Sequence, residues 1–138
     1  MSNAENTPAP LPVTIDGYFF PEVSIKANPA FNPAQAADVM KIHVAVHIDD
    51  QAEQGKITAR ARVRSDENGN IPYLVAVEAF GTFTPATGVT AETPAAFPII
   101  AQVLIGGARE IIAMVTARGP WPPTVLAIID LGKNEAPS

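Results

Sequence analysis

A chain of 138 residues that is 47% hydrophobic and only 17% charged suits one domain with a real core, and it must hide apolar surface inside itself or against a partner. Its net charge of −5 argues against nucleic acid as a partner. With no cysteine it can build no disulfide framework, zinc ribbon or thiol nucleophile, and it fits a reducing, cytoplasmic setting.

Residues 1–12, MSNAENTPAPLP, are polar and Pro-rich. They are predicted to be a disordered arm, and they lack the basic flank and apolar core of a signal peptide. Residues 13–26, VTIDGYFFPEVSIK, are rich in β-branched and aromatic residues and predict a strand. Pro21 inside the run places that strand at an edge or at a bulge. Tyr18 and Phe20 should share one of its faces, opposite Phe19. Residues 27–38 read as a loop. From Lys41 to Asp49 the chain alternates, with Ile42, Val44, Val46 and Ile48 on one side, as a half-buried strand does. Ile57 to Arg64 repeats the pattern, with Arg60, Arg62 and Arg64 on the polar side. Asn68-Gly69 marks a tight turn, and residues 73–83, YLVAVEAFGTF, make a further strand. Short strands with short connections predict an antiparallel meander with one wet face.

Residues 84–96 read as a Pro/Thr/Ala loop. Over 97–118 the period changes: Ile100, Val103, Leu104, Ile111, Met114 and Val115 recur at three and four, as one face of a helix does. Gly106-Gly107 could kink or split that helix, and Gly119, followed by Pro120, is placed to end it. Arg109-Glu110 at the centre of the stretch argues against a membrane span. Strands first and one long helix afterwards predict an α+β fold. The helix lacks a continuous polar face, so both its sides should be covered, most simply by another copy of the chain.

The segment 108–131, AREIIAMVTARGPWPPTVLAIIDL, resembles the SecB family of export chaperones. The likeness lies in the Ala-Arg-Glu triplet at 108–110, the helix end at Arg118-Gly119, the aromatic-Pro pair Trp121-Pro122 and the apolar pair Leu126-Ala127. DGYFFPEVSIKANP is similar to the family's first strand, and VEAFGTF to its Gly-x-Phe strand ending. The resemblance covers residues 13–131 and leaves 132–138 as a short tail. It implies a four-stranded antiparallel sheet with one long C-terminal helix packed across it, and a homotetramer built as a dimer of dimers. It also implies unfolded client polypeptides held in apolar grooves without ATP, cofactor or catalysis. The family usually carries a second helix and an acidic tail where this chain ends GKNEAPS, so the chain reads as C-terminally truncated relative to it. Glu22 keeps an acid that the family uses to dock its export partner SecA, but Lys26 and Ala76 stand where further acids are expected. These departures weigh against SecA and leave open a dedicated client, such as an antitoxin, or a purely structural oligomer.

A holdase needs exposed apolar area, and aromatic and Met side chains suit it because they adapt to varied partners. The candidate client-binding residues are Tyr18, Phe20, Phe80, Phe83, Trp121, Leu126 and Ile128. Ile111, Met114, Val115, Arg109 and Glu110 are candidates for the interface between copies, with Arg109-Glu110 pairing across it. Glu22, Arg60 and Arg62 are weaker candidates for docking a partner protein. His43 and His47 share a strand face, yet residues four apart on a strand lie about 13 Å from each other, too far to share one metal ion. No nucleophile–base–acid set and no phosphate loop is evident.

Overall fold

The computed structural model describes residues 11–51 and 54–122. Residues 1–10 of the predicted arm, Leu126, Ile128 and the tail at 132–138 lie outside the described residues. The chain runs β1 (Val13–Ala27), β2 (Ile42–Gln51), β3 (Lys56–Ser65), β4 (Tyr73–Pro85) and α1 (Ala96–Thr116). It has the α+β architecture, a four-stranded antiparallel sheet with a single long helix laid on one face.

The strand order is β1-β4-β3-β2. β2, β3 and β4 form the expected meander, but β1 does not precede β2 in the sheet. It pairs with β4 along its whole length, and the connection through residues 28–41 crosses over. This connection is stapled by polar side chains. Asn70 accepts from the amide of Asn32 (2.8 Å) and donates to the carbonyls of Asn32 and Ala36, while Asp38 accepts from the amide of Asn70 at 2.6 Å. Buried Asn28 donates its side-chain amide to the Ile71 carbonyl at 2.9 Å. The β3–β4 turn thus holds the crossover down and satisfies backbone groups that would otherwise be unpaired.

β1 is longer than β4, 15 residues against 13, because it carries two bulges, between Ile15 and Gly17 and between Phe19 and Glu22. Pro21 falls in the second, where no ladder donor is required. As predicted, β1 is an edge strand.

Period-two patterning sorts the sheet's faces. Ile57, Ala59, Ala61 and Val63 of β3 and Tyr73, Val75, Val77, Ala79 and Phe83 of β4 are all buried beneath α1, together with Val46 and Ile48 of β2. The helix contributes Ile100, Leu104 and Ile112, all at 0% exposure, and Phe97 and Ala108. By length and composition α1 could span a bilayer, yet its inner stripe packs on the sheet.

Gly106-Gly107 neither breaks nor splits α1. A Cβ on Gly107 would press on the rings of Tyr18 and Phe20 at 3.0 and 3.1 Å. Glycine there lets β1 approach the helix, outweighing the ~1 kcal/mol that it costs a helix interior. Gly119 also differs from expectation. The helix ends at Thr116 with Ala117 as its cap in right-handed conformation, and turns of the Val115–Arg118 and Thr116–Gly119 kind finish it. Gly119 serves the approach of Tyr73, whose hydroxyl a Cβ would strike. That hydroxyl accepts from the Trp121 amide (3.0 Å) and donates to the Trp121 carbonyl (2.8 Å), tying the chain after the helix to β4.

Candidate functional site

The two sides of α1 differ in cover rather than in polarity. Gly106, Val103 and Ala113 on the outer side are only half-buried, and Met114 is 59% exposed. Among the described residues no element lies over them. The same is true of β1. Ile15, Tyr18 and Val23 point to the helix side, since they stand opposite Phe83, Gly81 and Val77 of β4. They nevertheless remain 50%, 44% and 47% exposed: α1 is centred over β4 with β1 and β3 to either side, and it presses on β1 at the Gly107 contact with Tyr18 and Phe20 while leaving the outer part of this edge strand open.

Together these surfaces form a groove of about 520 Å³ with Ile15 and Tyr18 on one wall, Val103, Gly106 and Ala113 on the other, and Arg109 and Glu110 among its lining. Tyr18 and Phe20 share a face, as the alternation predicts, and their rings meet edge to face at 5.8 Å. The groove brings together Tyr18 from the client-binding candidates with Arg109 and Glu110 from the interface candidates. Glu110 is exposed and Arg109 half-buried. Ile111 is half-buried and Val115 38% exposed, flanking the inner stripe.

Other candidates fall elsewhere. Phe83 is a correction: at 0% exposure it is one of the largest side chains of the core and is closed to any client. Its place in the β4 alternation puts it on the helix side, where β3 and α1 seal it. Phe80 is on the opposite face of the sheet, its ring tilted against that of Phe19 with centroids 5.4 Å apart. Trp121 is half-buried against the core and meets Phe31 of the crossover at 5.0 Å, edge to face. Its indole Nε1–H is buried and finds no acceptor among the described residues. Tyr18, Phe80 and Trp121 therefore belong to three separate places rather than one cleft.

The open face of the sheet holds the docking candidates. Arg60 and Arg62 share Glu78 at 3.5 and 3.1 Å, and Arg64 pairs with Glu22 at 3.1 Å. Glu22 and Glu78 stand directly opposite each other, and the arginines offset their repulsion. His47 and Asp49 are 3.0 Å apart. At the sheet's end Lys56 contacts Asp16 (2.9 Å) and donates to Thr84 (2.8 Å), and Thr84 donates to Asp16 (2.7 Å). The Lys56 and then the Thr84 hydrogen bonds hold the Asp16 carboxyl below the ordinary carboxylate value. This ring pins the first β1 bulge. Its only trace in the sequence is Asp16-Gly17 interrupting a strand pattern.

No family model matches the chain, and no curated protein matches it significantly. Solved structures do. The SecB-like chaperone of Mycobacterium tuberculosis, in complex with a ChAD peptide from the HigA1 antitoxin, is 17% identical, with a TM-score of 0.61 over 85% of this chain and 90% of that one. A protein of unknown function from Streptococcus agalactiae is 12% identical, with a TM-score of 0.52 over 87% of this chain and 100% of that one. At such identities the likeness is one of fold: the described chain has the sheet-and-helix architecture of a SecB-like chaperone.

Proposed function

We propose that this chain is an ATP-independent holdase that binds non-native polypeptides along the apolar strip where β1 meets the outer side of α1. The observation that carries this reading is the strip itself. Ile15, Tyr18, Val23 and Met114 stay exposed although the core is complete without them. Contiguous apolar area that serves no packing within the monomer marks a binding surface. Unfolded segments offer apolar side chains of no fixed sequence, and a groove walled by Ile15, Tyr18 and Val103, with flexible Met114 exposed on the same helix, takes them with little specificity.

Copies of the chain are the second occupant of the same strip. Assembly into a dimer of dimers through Met114, Val115 and the Arg109–Glu110 region leaves the remaining apolar area for clients, in a cytoplasmic setting. A dedicated client in place of general export traffic is supported by the antitoxin peptide held by the mycobacterial fold neighbour. On the open face Arg62 and Arg64 already engage Glu78 and Glu22, so a SecA contact of the acidic kind has few free carboxylates to use.

The test is light scattering from a chemically denatured protein diluted into buffer without nucleotide. Near-stoichiometric amounts of this chain should delay aggregation. An assembly of several copies that leaves the aggregation curve unchanged would favour the purely structural oligomer instead.

A further inference from the structure

The open face of the sheet, on the opposite side from the groove, is a second surface that the holdase reading does not use. Among the described residues no element covers it. Lys26, Lys56, Arg60, Arg62 and Arg64 on it outnumber Asp16, Glu22, Asp49 and Glu78, in a chain whose net charge is −5. Five cations against four anions give this face a net charge of +1, in contrast to the −5 of the whole chain. Arg60 and Arg62 converge on the two oxygens of one carboxylate, Glu78. Each guanidinium carries five N–H donors, and the Arg60 and Arg62 side chains are 46% and 47% exposed, which leaves donors for a further carboxylate.

The spacing of the arginines is itself informative. Arg60, Arg62 and Arg64 follow one another at every second residue of β3, about 6.8 Å apart. An extended polypeptide laid along β3 presents its own alternate side chains at that same interval. Beside Arg60 in its cross-strand row lie Phe80 and then Phe19. Phe19 is 58% exposed, the two rings meet tilted by 46° with centroids 5.4 Å apart, and the Arg60 guanidinium sits 5.9 Å from the Phe80 ring. An aromatic shelf therefore closes one end of the arginine row.

We propose that this face docks an extended acidic polypeptide segment, with carboxylates at alternate residues on Arg60, Arg62 and Arg64 and an aromatic side chain on Phe19–Phe80. The acidic surroundings disfavour other placements of such a segment and steer it to this face. Single-stranded nucleic acid is the competing ligand. It would gain from the phenylalanines but meets a repulsive molecule in every other direction.

The experiment is fluorescence anisotropy with a fluorescein-labelled peptide of alternating Ser and Glu ending in Phe, titrated with the full chain. The binding expected is salt-sensitive, as exposed ion pairs require. It should weaken about tenfold in Arg60→Gln/Arg62→Gln, the loss of two exposed charge pairs. It should weaken less in Phe19→Ala, whose circular dichroism should match the parent because the ring is exposed. A peptide with the same glutamates in one block should bind more weakly, because it cannot keep the register. Equal affinity for the Lys-for-Glu peptide, unchanged affinity in the arginine variant, or tighter binding of a fluorescein-labelled oligouridylate would overturn the proposal. None of these outcomes bears on the groove, whose clients are followed by light scattering.

Discussion

β1 and β4 pair along their full length and show apolar residues to the same side of the sheet, yet they meet opposite fates. Val77 is 1% exposed and its partner Val23 47%; Phe83 is 0% exposed and its partner Ile15 50%. On β4 the alternation is explained by the core of the monomer. On β1 it is not: α1 touches that strand at Tyr18 and Phe20, but Ile15 and Val23 stand half-exposed on the edge strand, with no further strand beside it among the described residues. An apolar pattern kept where the fold does not bury it points outside the molecule. The outer side of α1, with Val103 and Met114, continues the same surface.

Mutating each pair on both sides of this divide separates the two roles. Phe83→Ala should cost about 3–5 kcal/mol through lost burial and an unfilled cavity. Ile15→Ser, directly opposite, should stay within about 1 kcal/mol, as half-exposed sites do. Urea unfolding measures both, and a large loss at Ile15 would mean that β1 is core after all. The adjacent glycines of α1 divide in the same way. Gly107→Val forces the Tyr18 and Phe20 rings off the helix and should cost about 1–3 kcal/mol. Gly106→Ala meets no atom within 4 Å and should gain up to about 1 kcal/mol in helix propensity. Melting temperatures of opposite sign are the expected readout.

The smallest effect is electrostatic. Asp16 has a folded-state carboxyl value below its unfolded 3.8, through Lys56 and then Thr84. The stability it lends is present above the unfolded value and lost as pH falls through the folded one. Amide exchange near the first β1 bulge should accelerate at that acid limit, and Asp16→Asn should flatten the dependence. An unchanged pH profile in the variant would remove the ring from the account.

Much of this was legible in the residues. Period-two runs located β2, β3 and β4, Pro21 marked the edge strand, and the three-four spacing found α1 within about two residues at either end. The strand order was not, because alternation fixes faces and not neighbours; the polar crossover held by Asn70 and Asp38 decides that β1 lies beside β4. The site was half legible. Tyr18 and Phe20 were placed on their common face, but periodicity alone could not separate buried Phe83 from exposed Ile15, since both obey it. What separates them is place in the sheet: Phe83 is on an inner strand flanked by β1 and β3 under α1, and Ile15 is on the edge strand. Gly107 looked like a helix breaker for the same reason: its meaning lies in the rings it admits, which are distant in sequence.

The most direct test is the affinity of the chain for a permanently unfolded polypeptide, reduced and carboxymethylated α-lactalbumin, compared with that of Ile15→Ser/Tyr18→Ser, both in the groove wall, at matched melting temperature. The account expects the double variant to bind about tenfold more weakly or worse, the loss of two apolar contacts, with its fold intact. Equal affinity in the two proteins, or none in either, would contradict it.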